Sequence, residues 1–86
     1  MRKGFLDLRR LRYFQEIVKH GSLSAAARHT NVAQPALSHH VAEIERDLGA
    51  PVLVRHPSGV QPTELGARLI THAVDILDRV AQAEDD

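Results

Sequence analysis

The sequence predicts a mainly α-helical domain: three short helices, one small β-hairpin and a long terminal helix. Three observations carry that prediction. Apolar residues recur at three- and four-residue spacing in four separate stretches, each opened or closed by a capping or breaking residue. The run "HPSG" lies between "VLVR" and "GVQ", two short β-prone segments. The last apolar stretch continues for about twenty residues with no internal breaker except Gly66.

The first helix is expected over Leu8–His20, with Leu8, Leu11, Phe14 and Val18 on its buried face and Gly21 as its stop. Ser22 can cap a second helix over Leu23–His29, whose buried side is Leu23, Ala26 and Ala27. Asn31 tolerates the left-handed conformation, so "HTNV" reads as a tight turn. A third helix runs over Gln34–Leu48, where Leu37, Val41, Ile44 and Leu48 form an apolar stripe. Pro35 is tolerated because first-turn N–H groups have no partner within the helix. Gly49 ends this helix, and Pro51 prevents its resumption.

In the hairpin, Pro57 and Gly59 suit the second and fourth positions of a type I turn. Thr63 then caps the fourth helix, which is expected to reach Ala83, a length of roughly 30 Å. Leu65, Leu69, Ala73, Ile76 and Val80 lie on one line along it, and Ile70 and Leu77 on a second. That surface exceeds what so small a domain can cover, which makes these seven residues the expected dimer seam. Gly66 costs roughly 1 kcal/mol relative to alanine in a helix and hints at a close approach there.

Composition narrows the function. The chain has 86 residues, no cysteine and only Phe5, Phe14 and Tyr13 as aromatics. Neither a disulfide framework nor a cysteine-containing zinc site is possible, and the chain fits a reducing cytoplasm. No apolar run approaches the roughly 20 residues that span a bilayer. The start "MRKGFLDLRR" has no apolar region of the kind a secretory signal needs. The formal net charge is +0, but residues 1–42 carry seven Lys/Arg against two Asp/Glu, and residues 43–86 four against nine. Such a dipolar chain can present a basic face to phosphates while its other end faces elsewhere. No Ser/His/Asp set, paired-carboxylate cleft or phosphate loop points to an enzyme, so neither catalytic nor metal-binding residues are assigned. His39 and Glu43 have ligand spacing but lack a third ligand nearby.

Three short helices, the second and third joined by a tight turn, followed by a hairpin, make a winged helix-turn-helix. In that arrangement the third helix enters the DNA major groove with its amino end against base edges. Its side away from the core holds Pro35, His39, Ala42 and Arg46, flanked by Ser38 and Glu43, with Gln34 near the tip. Gln34 offers a donor and an acceptor suited to adenine, and Pro35 and Ala36 offer apolar surface to a thymine methyl. Ser38 can bond to a base edge or a phosphate. His39 points outward and is read as a DNA contact, strengthening as pH falls from about 7.5 to 6 where it acts as a cation. His40 falls near the core's edge and is read as structural. Arg9, Arg10, Arg12 and Lys19 read as a solvated helix face.

From about Leu8 to Leu77 the chain resembles the N-terminal domain of LysR-type transcriptional regulators. "LRRLRYFQEIVKHGSLSAAARH" is similar to that family's first two helices, and "VAQPALSHHVAEIERDLGAPVLVRHPSGVQPTELG" to its recognition helix, wing and linker start. The resemblance implies a winged helix-turn-helix DNA-binding domain over residues 6–63, with the motif at about 23–42 and the wing at about 52–62. A linker and dimerisation helix would follow over 63–86. It implies base or backbone contacts at Gln34, Pro35 and Ser38, and phosphate contacts at Ser22, Ser24 and Arg55. The wing tip falls on Ser58. It further implies double-stranded DNA with a pseudo-palindromic site as partner, and a homodimer through the last helix. Tetramers are then expected in the full-length protein, together with a C-terminal effector domain that this fragment lacks and that would take the small-molecule inducer. No cofactor is expected in the fragment itself. Two positions depart from the family pattern. His39 and His40 stand where arginine and glutamine are common, and Ser58 stands where an arginine often enters the minor groove. Both changes remove cationic contacts and imply lower affinity per domain. The neutral charge keeps a second expectation alongside: a winged-helix module that binds proteins without reading DNA.

Overall fold

The structure, a computed structural model, describes residues 4–86. Arg2 and Lys3, two of the cations in the first half, and the start of the ten-residue targeting reading lie outside the described residues. The element order is α1 (Leu8–His20), α2 (Leu23–Thr30), α3 (Gln34–Leu48), β1 (Leu53–His56), β2 (Gly59–Pro62) and α4 (Glu64–Asp85).

Each boundary has a local cause. Asp7 accepts the Arg10 backbone N–H at 2.7 Å to open α1, and Ser22 Oγ accepts from Ala25 at 3.0 Å to open α2. Asn31 closes α2 at φ 57°, and its side chain tolerates that region better than most. Thr63 opens α4, accepting from the Gly66 N–H at 3.0 Å while donating its hydroxyl to the Pro51 carbonyl at 2.8 Å. The strands pair antiparallel with Leu53 opposite Pro62 and His56 opposite Gly59, leaving Pro57 and Ser58 at the turn.

The core is mostly aliphatic around Phe14, with Ile17, Leu37, Val41 and Ile44 at its centre and Val52 and Leu53 closing it from the hairpin side. Full burial of a side chain such as Phe14 contributes roughly 1.5–3 kcal/mol. One expectation for α1 needs correction, and one buried residue was missing from it. Leu8 is 45 % exposed, and Ile17 is fully buried in its place. The buried arc centres on Phe14, and at 100° per residue Leu8 lies about 120° away from it.

α4 divides along its length. Leu69 and Ala73 pack into the chain's own core beside α1 and are removed from the expected seam. Leu65 and Ile70 are half-buried at the core's edge, Leu77 and Val80 are half-buried further along, and Ile76 is exposed. The reason is geometric: the amino-terminal half of α4 lies across the domain, and the rest projects past it. Gly66 permits the crossing, because a Cβ there would sit 2.0 Å from the Val52 carbonyl oxygen.

Candidate nucleic-acid interface

α3 begins differently from the other three helices. α1, α2 and α4 each have a side chain bonded at the cap, whereas the cap residue of α3 is Ala33, which has none. Pro35 in the first turn has no N–H to satisfy. Gln34 and Pro35 are exposed at this tip, and Ser38 is half-buried one turn further on. His39, Ala42 and Arg46 continue the exposed strip, as the 3.6-residue period requires.

The tip faces an open cleft of about 420 Å³. Ser22 and Ser24 from the start of α2, Gln34 from the start of α3, and Arg55 and Ser58 from the hairpin all line it. Five of the eight residues singled out for DNA contact are therefore gathered around one concavity. Pro35, Ser38 and His39 are not in its lining; they occupy the adjoining face of α3. Arg55 brings the guanidinium to this cleft, and it is exposed.

The hairpin is held in place by one backbone bond and one carboxylate. The Val60 N–H donates to the Gly21 carbonyl at 2.8 Å, joining β2 to the turn between α1 and α2. Gly59 makes that contact possible, since a Cβ there would lie 2.2 Å from the same oxygen and φ is +144°. On the other side Glu45 of α3 accepts the Val52 N–H at 2.8 Å, tying the recognition helix to the segment entering β1. The sequence reading found neither link. Glu45 looks like any solvated glutamate, and no pattern marks a glycine whose contact lies 38 positions away.

On α3, His39 Nε2 lies 4.0 Å and Arg46 Nη1 3.9 Å from the same Glu43 oxygen. His40 behaves otherwise. Its Nδ1 accepts from Arg10 Nε at 3.2 Å, and its ring lies 5.2 Å from that of Tyr13. Arg10 is consequently not part of a solvated face. It is half-buried, and its Nη1 also donates to the Phe5 carbonyl at 2.7 Å. Burial and the neighbouring Arg10, Arg9 and His39 push the His40 pKa below its ordinary 6.5, and Asp7 opposes them.

A three-helix core, a hairpin beside the second and third helix starts, and an exposed uncapped third helix together define a winged helix-turn-helix domain. The model of the "bacterial regulatory helix-turn-helix protein, lysR family" matches residues 8–67, and the chain belongs to that family. The chain is 48 % identical over 79 residues to the nitrogen assimilation regulatory protein nac of Klebsiella aerogenes, covering 92 % of this chain and 26 % of that protein. It is 37 % identical over 79 residues to a probable cat1 operon transcriptional activator of Acinetobacter lwoffii, again 92 % and 26 %. The solved complex of the BenM DBD with benA site 1 DNA superposes with a TM-score of 0.86 at 34 % identity, covering 93 % of each chain. The CbnR DBD–DNA complex superposes at 0.85 and 30 % identity, covering 93 % of this chain and 92 % of that one. The chain thus spans about a quarter of the length of the curated relatives it matches. Among the described residues, no helix is long and apolar enough to cross a membrane.

Proposed function

We propose that this chain is the sequence-specific double-stranded DNA-binding part of a bacterial transcriptional regulator and acts as a dimer in the cytoplasm. The observation that carries this reading is the cleft joining the tip of α3 to the start of α2 and to the wing. It offers hydroxyls, an amide and a guanidinium on the surface where the family's winged helices face DNA. α3 enters the major groove, with Gln34, Pro35, Ser38 and His39 against base edges. Ser22, Ser24 and Arg55 hold backbone phosphates, helped by the positive amino ends of α2 and α3. Ser58 stands at the wing tip, near the backbone or minor groove. Leu65, Ile70, Ile76, Leu77 and Val80 provide the apolar seam for a second copy, so the preferred site is pseudo-palindromic. Catalysis has no part in this role. An inducer, and assembly into tetramers, belong to the remainder of a full-length regulator.

Selection of bound duplexes from a random pool tests the reading. The expected product is a two-fold symmetric site, bound more tightly than random duplex at every salt concentration. Equal binding of the two would overturn it in favour of a protein-interaction module. Replacing Gln34 and Ser38 together by alanine should remove discrimination, each base contact contributing about 1–3 kcal/mol, while leaving the dimer intact.

A further inference from the structure

His39 and His40 are adjacent in α3 but engage different surroundings. His39 is exposed and turned toward Glu43, whereas His40 is half-buried against α1. Through Arg10, His40 is connected to two further elements. The guanidinium donates to His40 Nδ1 at 3.2 Å and to the Phe5 carbonyl at 2.7 Å, so one side chain joins the segment before α1, α1 itself and α3. For Nδ1 to accept, the neutral ring must carry its proton on Nε2. We infer that Arg10 and His40 are a positioning pair that sets how α3 sits on α1, and so where Gln34, Ser38 and His39 aim, and that the pair holds only while His40 is neutral. The inference rests on the DNA-binding reading proposed above.

The chemistry of the contact gives the direction. Protonation puts a hydrogen on Nδ1, turns an acceptor into a donor, and sets a cation against Arg10. The groups around His40 are Arg9, Arg10, Tyr13 and Asp7 on the α1 side and His39 on its own helix. The pair's contribution is therefore complete above pH 6.5 and is lost as pH falls through the lowered His40 value. Leu37, Val41 and Ile44 keep α3 folded and docked throughout. What changes is the seat of the helix, not its existence.

The first arm of the test uses the 86-residue chain without DNA and follows its imidazole nitrogens by 15N NMR from pH 8 to 5. The expected result is a His40 ring protonated on Nε2 alone at pH 7.5, titrating below 6.5, with a midpoint that rises in Arg10→Gln. A ring protonated on Nδ1, or a midpoint indifferent to Arg10, would overturn the pairing. The second arm compares the wild type with His40→Gln, whose amide oxygen accepts from Arg10 without titrating, on a duplex recovered from the random pool. Between pH 7.5 and 5.5 the wild type should lose about three- to tenfold in affinity relative to His40→Gln. Random duplex of equal length should show no such difference. Parallel pH profiles on the selected duplex would refute a positioning role. Should no preferred duplex emerge, DNA reading fails, and the NMR arm still decides whether the pair exists. If Arg10→Gln does not fold, the wild-type tautomer and the His40→Gln profile carry the test.

Discussion

Gly66→Ala separates two accounts of the same residue by the sign of one measurement. In an exposed helix interior the change would stabilise by about 1 kcal/mol, because glycine is the poorer helix former. At this position the new Cβ would lie 2.0 Å from the Val52 carbonyl oxygen, 3.0 Å from its carbon and 3.3 Å from Pro62 Cβ. Two of those atoms are backbone and cannot rotate away. An ordinary C···O approach is about 3.3 Å, so α4 must withdraw from the base of the hairpin by about 1.3 Å. The Thr63 N–H, which donates to that same Val52 oxygen at 3.0 Å, goes with it. Overpacking costs about 1–3 kcal/mol and the strained hydrogen bond about 1 kcal/mol, against a propensity gain of about 1 kcal/mol. The net expectation is a loss of about 1–3 kcal/mol, or roughly 10 °C in Tm for a domain of this size. Circular dichroism melts at one fixed protein concentration would measure it, because Tm would depend on concentration for a chain that dimerises as proposed. A variant as stable as the wild type, or more so, would refute the close crossing of α4 over Val52.

Three further substitutions probe the wing, the proposed seam and the core. Gly59→Ala must push β2 off the Gly21 carbonyl and break the Val60 bond; we expect about tenfold weaker DNA binding, with protection lost at the flanks of a footprint while the α3 contacts persist. Ile76→Asp places a charge on the exposed half of α4, where the 41 % exposed side chain does not belong to the core, so sedimentation should report monomers of native helix content. Leu69→Asp, in the core, should instead abolish folding.

The elements were legible because each boundary depends on a residue within a few positions of it. The stripe of Leu37, Val41 and Ile44 is a local pattern, and so are the turn at Asn31 and the cap at Thr63. Even the crossing at Gly66 left a trace, as a glycine where a helix former was expected. What could not be read were features set by distant partners. Leu8 satisfied the apolar period but falls on the rim once the buried arc is fixed by what packs onto Phe14. Leu69 and Ile76 looked alike on one line, and only the reach of the domain under α4 assigns the first to the core and leaves the second outside. Arg10 stood among four cations on one helix, yet a histidine thirty positions away draws it inward. The site shows the same division. Gln34, Ser38 and Arg55 stood out by residue type and place, whereas the links that hold the wing, Val60 to Gly21 and Glu45 to Val52, carry no sequence mark.

For the dimer proposed above, charge would give the α4 seam a larger part in DNA binding than its distance from the cleft indicates. Among the described residues the cations are not concentrated at the cleft: Arg10 in α1 is engaged with His40 and Phe5, and Arg46 in α3 has Glu43 3.9 Å away. Arg55 is left as the guanidinium lining the cleft itself. Each neutralised phosphate adds about 0.9 to the salt slope, so one protomer with few cationic contacts gains little from counterion release. For a DNA-binding dimer the shortfall is made up by linkage. Once one α3 is seated, the second is held at an effective concentration in the millimolar range, and coupling of that kind raises affinity by about 10²–10⁴ without any new contact. That gain requires the two helices to lie one helical turn apart, about 34 Å, which is a constraint on how rigidly α4 is joined to the hairpin base. The Gly66 crossing, the Thr63 bonds to Pro51 and Val52, and the Glu45 bond to Val52 fix that junction. A loosened junction would leave each protomer able to contact DNA and still lose most of the affinity of the pair.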